Sequence, residues 1–555
     1  MTHAGRRSAR EASAEVGAPT REWQHYLAIL AAGFVAHGLL LLNDGVYWDG
    51  WLIHTYFRVG DWGSMWACFS ESGLPQLAGF HWLIGYSPSP VVTYKVLVFL
   101  SVVGAALLVY RIARLTGFVS RAESLFIALI SLVYPAYQVT VELATAPYSV
   151  CYCLFLVACL LALRAETAER AMRLLLQGGA VVCFLLSFTI NSLLAFYLGF
   201  LALLVIYTKR CHDLTGFGAV TTVLSRRAPF LLLPVLYWVV TRQLFPAQGL
   251  YIGYNQFVVS PRVLVEVARV FVTTAVYVPI KAAVLQLLRA PLLWLPVMLL
   301  TYGLAGVVQT GERRHHRLAG SHVLLAVGLA ILALGVFPYV VVGKAPAASG
   351  WLTRHALLVG LPVAVLLVAI SRWIDVGRRR WSSRLRFTCL GMLVALLAWS
   401  TVSSYVGWQA RWAKDRSIMT NLPRLENAER ISTFWIDDQL VIGSESYRFY
   451  EWSALFSEVW GGQSRIGLDL RGYSADFCVY YRKYFTRRYV LDEFNPDGEQ
   501  AVLRIRPGPM ASSNFAMAMR YLYYRYIDKP KLPRYLSLLT HLELTSSPET
   551  APETR

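Results

Sequence analysis

The sequence predicts an α-helical polytopic membrane protein of about eleven transmembrane helices, followed by a small extracytoplasmic α/β domain. The first observation is composition, since the 555 residues are 56% hydrophobic and only 15% charged. Soluble domains carry about 25% charged residues, so this deficit indicates that much of the surface faces lipid. The second observation is a series of long apolar runs, and the third is a more polar C-terminal part.

Apolar runs close to the ~20 residues that cross a hydrocarbon core recur between residues 23 and 408. Each of these runs is predicted to be one membrane span of a helical bundle. The predicted spans are 24–42, 91–110, 123–141, 146–163, 174–190, 192–208, 228–241, 290–309, 321–342, 355–371 and 387–406.

The formal net charge of +19 comes largely from short connections between the apolar runs, among them Lys209–Arg210, Arg313–Arg314 and Arg378–Arg380. Lys and Arg in such connections set membrane orientation, so the charge does not indicate nucleic-acid binding. The clusters alternate onto the side of the basic N-terminus. We therefore predict a plasma (inner) membrane protein with a disordered cytoplasmic tail, residues 1–22, and an extracytoplasmic C-terminal domain.

Within the segment 250–288, residues 263–288 are apolar enough to span the membrane, yet they contain Glu266, Arg269 and Lys281. A full span here would place Arg313 and Arg314 on the opposite side from the other basic clusters. We therefore predict that this segment is an interfacial or re-entrant helix on the outer face.

Two larger regions are predicted outside the membrane. The first outer loop, residues 43–90, is rich in Trp, Gly and Tyr, and its stretches Trp51–Phe57 and Ser64–Phe69 are predicted to be short helices. The second region, residues 409–545, is predicted to be the α/β domain, with a disordered tail at 546–555. Its predicted strands are Arg430–Ile442, Tyr489–Asp492 and Ala501–Ile505, and its predicted helix is Asn514–Ile527.

Ionisable groups at the ends of spans are costly and therefore indicate function. Asp44 and Asp49 follow the first apolar run, among the interfacial aromatics Trp48 and Trp51. Glu142 lies in a very short connection between the third and fourth runs. These acids could instead be solvated loop charges, and Glu142 could simply cap a helix.

Cations follow the late runs at the same predicted membrane level. Lys344 lies after the ninth run, and Arg354 and His355 open the tenth. Sugar transfer from a polyprenyl phosphate needs a base for the incoming hydroxyl and cations for the leaving phosphate, and this set supplies both. The alternatives are that Lys344 and Arg354 only reach lipid headgroups and that His355 is a packing residue.

The layout from Trp23 to Ser404 resembles the GT-C superfamily of membrane glycosyltransferases, which use lipid-phosphate-linked sugars. The resemblance rests on a first span followed by a long outer loop with an acid near its start, an acid at Glu142 in the second outer loop, and the late cations. The match is one of layout rather than of a long motif. Asp44 and Asp49 are five positions apart, which leaves open which one is the base. The first loop has no D-x-D, so a divalent cation remains an open requirement and no metal ligand is assigned.

The resemblance implies that Asp49 is the general base, with inversion at the anomeric carbon. Asp44 and Glu142 would orient acceptor or donor, and Trp48 and Trp51 would stack on sugar faces. Further implied substrate-binding residues are Lys344, Arg354 and His355 for the donor phosphate, and Tyr251, Tyr254 and Asn255 for the lipid entrance.

The implied partners are a polyprenyl-phosphate sugar donor, membrane lipids, and a glycan, lipid or protein acceptor. Two alternatives use related substrates: a flippase or transporter for a lipid-linked saccharide, and an O-antigen polymerase or ligase. A flippase needs polar groups deep in several helices. A polymerase or ligase is expected to carry its chemistry on a large late outer loop. A third alternative is a structural or sensory C-terminal domain that the bundle merely anchors.

Overall fold

The protein is described by a computed structural model that is mostly helical, with a small mixed sheet near the C-terminus. It contains several helices long and apolar enough to cross a membrane, as expected for a polytopic membrane protein. The predicted tails, apart from Glu22 and Ser546, lie outside the described residues, as does most of the predicted span 290–309. The structure describes residues 22–226, 228–258, 260–289, 298–301, 303, 319–377, 380–443, 447–461, 464–470, 472, 477, 488–489, 494–495 and 497–546.

The helices of the bundle follow one another closely. They begin with α1 Glu22–Leu41, α2 Gly50–Val59, α3 Trp62–Glu71, α4 Pro75–Gly85, α5 Pro90–Thr116, α6 Arg121–Val133, α7 Ala146–Ala165, α8 Arg170–Ser187, α9 Ser192–His212 and α10 Gly216–Arg226. They continue with α11 Ala228–Leu244, α12 Pro261–Val270, α13 Val278–Arg289, α14 Ala319–Val340, α15 Gly360–Ser371 and α16 Arg380–Asn421.

Among the described residues, eight helices have the length and apolarity of a membrane span. A ninth crossing is added if the bent pair α10 and α11 forms one span. The prediction of about eleven spans is thus met in kind, while the number eleven stays a prediction. The eight are Glu22–Leu41, Pro90–Thr116, Ala146–Ala165, Arg170–Ser187, Ser192–His212, Pro261–Leu285, Gly320–Val340 and Ser383–Arg424.

Two predicted spans are shorter helices than expected. Helix α6 ends at Val133 because Tyr134 precedes Pro135, and a residue before proline is driven out of the helical region. Residues 134–145 then run irregularly, apart from one 3₁₀ turn, Val139–Val141. Similarly, the predicted span 355–371 begins as a 3₁₀ turn, and its α-helix starts only at Gly360.

Residues 261–285 of the predicted interfacial segment form one continuous helix of 25 residues, with a π-helical turn at Phe271–Tyr277 in its middle. The helix is long and apolar enough to cross a membrane, and its interfacial position stays a prediction. Arg269 donates to Glu266 at 2.6 Å, and the Lys281 ammonium lies 5.5 Å from the Tyr277 ring centre. Such pairing lowers the cost of carrying charge in an apolar helix.

The first loop is more helical than predicted. Its two predicted helices correspond to α2 and α3, and α4 adds a third between them and α5. Proline at the first position of α4 favours a helix start because its missing N–H would be unpaired there in any case.

The described residues of the C-terminal part form a four-stranded sheet and the helices α17 Phe449–Trp460, α18 Asn514–Tyr526 and α19 Leu532–Leu539. The strand order is β2-β1-β3-β4, with β1 parallel to β2 and β3 and with β4 antiparallel to β3. The predictions for β1, β3 and α18 are confirmed. Of the predicted strand 489–492, only Tyr489 is described, and it lies in a turn. The strands are β1 Thr433–Asp438, β2 Ile466–Asp469, β3 Gln500–Pro507 and β4 Thr540–Ser546.

Helix α16 joins the bundle to the C-terminal part. It runs for 42 residues, so the predicted boundary at 408/409 falls inside it. Its last turns, with Ile418, pack in one apolar core with Phe434 of β1 and Leu455 of α17. A buried ion pair at 2.5 Å between Arg411 of α16 and Glu451 of α17 ties the same elements together.

The two ends of the bundle differ: one contains a buried ion-pair cluster, and at the other the loops meet. At the start of α6, buried Glu123 binds Arg372 at 2.7 Å and Arg386 at 2.5 Å, so these arginines hold helices together as well as being basic-cluster residues. At the other end, residues 43–49, 134–145 and 341–354 meet each other and the C-terminal part. Gln138 N, for example, donates to Thr353 Oγ1 at 3.2 Å. We call this second end the sheet end.

Candidate active site

Asp49 stands at the N-terminus of α2 but does not cap it with its side chain. Its Oδ1 instead accepts a hydrogen bond of 2.5 Å from the Tyr450 hydroxyl of α17. The preceding Trp48 has a positive φ of 43°, and its N–H donates to Glu451 Oε2 at 2.9 Å. A non-glycine residue in this region is uncommon, and the buried Glu451 contact holds it there. The turn therefore presents a carboxylate that the helix itself does not use.

Glu142 lies directly beside this turn. Its carboxyl group is buried and accepts hydrogen bonds from Ala144 N at 2.9 Å and Thr145 N at 2.7 Å. A β-carbon at Gly50 would lie only 3.0 Å from Glu142 Oε1, so glycine at this position permits the close approach. Burial and the nearby charge of Asp49 raise the pKa of Glu142 to about 8, although the two backbone hydrogen bonds oppose the shift. The structure thus brings together two of the predicted acids.

Lys95 lies next to Glu142 and was not predicted as a site residue. It lies near the start of α5, is buried, and donates from Nζ to the carbonyl oxygen of Val141, the residue before Glu142. Its charge interacts with Glu142. A single ionisable residue inside the predicted span 91–110 was a usable signal, because such residues rarely occur in a span without a role.

The predicted cations Lys344 and Arg354 also meet at the sheet end, under Tyr254. The Lys344 ammonium lies 3.3 Å from the centre of the Tyr254 ring and donates to Asn255 Oδ1 at 2.6 Å. Arg354 Nη2 donates to the Tyr254 hydroxyl at 3.3 Å, and its guanidinium lies 4.3 Å from the centre of the Trp351 ring. Burial and the charge of Arg354 lower the pKa of Lys344 to about 8.

One guanidinium nitrogen of Arg354 is an unsatisfied hydrogen-bond donor among the described residues. Nη1 is buried and, within the part of the chain that the structure describes, has no hydrogen-bond partner. A buried donor on a charged group costs about 1–3 kcal/mol or more when unpaired. An anionic ligand would supply the missing acceptor, and phosphate matches the guanidinium geometry.

Tyr148, at the start of α7, connects the acids with the cations. It interacts electrostatically with Arg354, Tyr254, Glu142 and Asp49. Asp49, Glu142 and Arg354 therefore lie within electrostatic range of one tyrosine, and Lys344 joins this group because Lys344 and Arg354 both contact Tyr254.

Asp44 takes a different position from Asp49. Its carboxylate accepts hydrogen bonds from the Tyr521 hydroxyl at 3.2 and 3.4 Å and forms an ion pair with Arg525 at 3.3 Å, both on α18. Asp44 thus fastens the end of α1 to the C-terminal part.

The rings of Trp48 and Trp51 are buried, with about 1% of each residue exposed. Trp48 packs on Trp408 at 4.5 Å between ring centres, and Trp51 packs on Trp412 at 6.0 Å. Neither ring presents a free face to a sugar in this structure, in contrast to the stacking that the resemblance implies.

His355 is a packing residue here. Its Nδ1 lies 3.1 Å from the Ala345 carbonyl oxygen, and its ring contacts Tyr339 at 5.1 Å. Burial and the positive charge of Arg354 lower the pKa of His355 to about 4. It is therefore uncharged near neutral pH and adds no positive charge for a phosphate.

The C-terminal part contributes residues to the site that no sequence pattern predicts. Tyr450 binds Asp49, Tyr489 stacks on Tyr450 at 5.0 Å with an angle of 8° between the rings, and Arg488 precedes Tyr489. These residues are about 400 positions from Asp49 in the chain, and no local pattern distinguishes them from other aromatic or basic residues.

Across the described ranges, no three His, Cys, Asp or Glu side chains are grouped so that they could hold a metal ion. No family model matches this chain. The search of curated proteins likewise found no match.

Proposed function

We propose that the protein is a membrane glycosyltransferase that moves a sugar from a polyprenyl-phosphate donor to an acceptor hydroxyl. One observation carries this proposal: at one end of a helical bundle, the acids Asp49 and Glu142 and the cation Arg354 lie within electrostatic range of Tyr148, and Lys344 shares Tyr254 with Arg354. A base and a phosphate-binding pair within one site are the two components that this reaction requires.

In this mechanism Asp49 is the general base. The acceptor oxygen attacks the anomeric carbon from the side opposite the phosphate, and Asp49 takes the hydroxyl proton. The bond between the anomeric carbon and the phosphate oxygen breaks, and its electron pair leaves with the polyprenyl phosphate. Arg354 and Lys344 stabilise the charge of the leaving phosphate, with Arg354 Nη1 as an available donor. Attack from the opposite face inverts the anomeric configuration.

Glu142 is proposed to position the base. With its pKa raised to about 8, it carries a proton through most of the neutral range and does not repel the charge of an ionised neighbour. Its hydrogen bonds to Ala144 and Thr145 fix the 134–145 connection against Gly50, next to Asp49.

The proposal assigns the base to Asp49 rather than Asp44. Asp44 is occupied by an ion pair with Arg525 and by the Tyr521 hydroxyl, which makes it a structural contact. Among the described residues, the Asp49 carboxylate has a single hydrogen-bond partner, the Tyr450 hydroxyl. Loss of that partner in a complex would free the oxygen for the acceptor.

Two observations favour this reaction over the alternatives. His37, inside the first span, bonds to Tyr405 at 2.7 Å and to the Leu132 carbonyl at 2.9 Å, so it is satisfied by helix packing rather than facing a substrate path. The connection between α14 and the turn that begins at Trp351 is short, unlike the large late loop expected of a polymerase or ligase.

The proposed location is the plasma membrane, with the sheet end outside. The donor would then enter from the lipid beside residues 249–258, where Ile252 and Phe257 expose apolar side chains next to Tyr254. The proposed acceptor is a glycan, a lipid or a protein, and a divalent cation remains an optional requirement.

The experiment compares Asp49→Asn with Asp44→Asn in the purified full-length protein. Transfer of labelled sugar from an undecaprenyl-phosphate donor to membrane acceptors should fall ~10²–10⁴-fold for Asp49→Asn, the usual contribution of a general base. Binding of undecaprenyl phosphate should stay near wild type. Asp44→Asn should lower thermal stability with a smaller loss of rate. Wild-type transfer by both variants would refute the proposal and favour the flippase.

A further inference from the structure

Arg488 of the C-terminal part reaches into the wall of the same site. Its Nη2 donates to the Tyr251 hydroxyl, and its guanidinium lies 5.0 Å from the centre of the Tyr251 ring. Its carbonyl oxygen accepts a hydrogen bond of 2.6 Å from the Tyr56 hydroxyl of α2. The residue is therefore held by the 249–258 segment on one side and by the first loop on the other.

The guanidinium of Arg488 has hydrogen-bond donors without an acceptor among the described residues. Only 14% of its side chain is exposed, and Nε and Nη1 are buried without a hydrogen-bond partner in the described part of the chain. Among the described residues, the carboxylate that pairs with Arg488 is that of Glu71, whose Oε2 is 3.9 Å from Nη1, beyond hydrogen-bond distance, and 45% of the Glu71 side chain is exposed. As at Arg354, unpaired donors on a buried cation are costly, and an anionic ligand would satisfy them.

The environment of Arg488 leads to Asp49. Tyr251 interacts electrostatically with both Arg488 and Asp49. Tyr489, the next residue, stacks on Tyr450, and the Tyr450 hydroxyl binds Asp49. Asp49 thus has two arginines with unpaired donors in its surroundings: Arg354, connected through Tyr148, and Arg488, connected through Tyr251.

We propose that Arg488 binds an anionic group of the acceptor, a phosphate or a carboxylate, and holds the acceptor hydroxyl at Asp49. The inference rests on the proposed function, in which Arg354 and Lys344 already serve the donor phosphate. A second cation, supplied by a different part of the chain, fits a second substrate. Arginine also suits phosphate and carboxylate in particular, because its planar fork can donate two parallel hydrogen bonds. The acceptor class is therefore an acidic glycan or a phosphate-bearing polymer or lipid.

The test uses matched pairs of small probes on the full-length protein in detergent. Glycerol 1-phosphate is compared with glycerol, and methyl glucuronide with methyl glucoside. Bound ligand raises the thermal-unfolding midpoint. In the wild type, at least one anionic probe should raise the midpoint while its neutral counterpart does not. Arg488→Gln should weaken that binding ~10-fold or more, on the scale of a charge-assisted hydrogen bond.

A further variant acts as a control. Arg58→Gln removes a cation of the first loop that pairs with Glu458 at 3.4 Å, and it should keep the response to the anionic probe. Arg488→Lys keeps the charge but loses the fork and should bind with intermediate affinity. If Arg488→Gln does not fold, the affinity of Arg488→Lys for the anionic probe tests the proposal instead.

The same chemistry could come from a second phosphate on the donor, so undecaprenyl phosphate and undecaprenyl diphosphate form a second arm. Diphosphate binding that depends on both Arg354 and Arg488 would overturn the acceptor assignment. Equal responses to anionic and neutral probes, or no response to any, would also overturn it. Failure of the proposed function is a separate result, because transfer unaffected by Asp49→Asn would leave the charge selectivity of Arg488 unchanged.

Discussion

Substitution of Glu142 by Gln should remove a pH dependence of stability that the folded protein creates. The pKa of Glu142 rises from 4.5 to about 8 on folding, mainly because burial disfavours the charged form. The folded state therefore holds this proton more tightly than the unfolded state. The stabilisation is fully present below pH 4.5 and is lost as the pH rises through about 8.

The size of this effect follows from the two pKa values. The full difference corresponds to about 5 kcal/mol, and about 2 kcal/mol of it is lost between pH ~6.5 and ~9.5. Gln cannot accept from both Ala144 N and Thr145 N, so Glu142→Gln should be less stable than the wild type at low pH. The variant should nevertheless lack the additional decline toward high pH.

The assay is the thermal-unfolding midpoint of the purified protein across this pH range. Glu266→Gln is the matched control, since Glu266 is exposed and paired only locally with Arg269. The control should retain the wild-type slope. A Glu142→Gln curve parallel to the wild type would refute the assignment of a buried, protonated Glu142 beside Asp49.

The other two predictions concern the donor and the orientation. Arg354→Ala should weaken undecaprenyl-phosphate binding by about 1.5–3 kcal/mol, the scale of a hydrogen bond to a charged group, and Arg354→Lys should recover only part because the fork is lost. Unchanged binding in Arg354→Ala would remove this residue from the donor site. If the sheet end lies outside, Ile527→Cys, 73% exposed after α18, should react with an impermeant maleimide in intact cells. Phe118→Cys, exposed near the Glu123 end, should react only after permeabilisation, and the reverse pattern would place the proposed site in the cytoplasm.

Hydropathy predicted much of the helical bundle because apolarity is a property of contiguous residues. Helices Glu22–Leu41, Ala146–Ala165 and Ser192–His212 closely match predicted spans. Hydropathy is less accurate where a contiguous run contains a local break, as at Pro135 after α6. Composition also does not record the contact that pairs the charges of Arg269 and Glu266 in α12.

The same limit applies to the arginines. Basic residues in the short connections predict only membrane orientation, yet Arg372 and Arg386 lie buried on Glu123, about 250 residues earlier in the chain. A basic residue in a short connection has the same local pattern whether it faces water or forms a buried ion pair. The distinction depends on a distant partner.

The sequence by itself determined the class of protein, most spans, strands β1 and β3, helix α18, and a set of acids and cations at span ends. These follow from local apolarity, β-propensity and the cost of ionisable groups near lipid. Only the tertiary structure decided how that set divides: Asp49 lies beside Glu142, whereas Asp44 pairs with Arg525. It also buried Trp48, kept His355 uncharged, and brought Tyr450 and Arg488 to the site. The physical reason is that these outcomes depend on burial and on pairs separated by up to about 480 residues, and no local pattern specifies either.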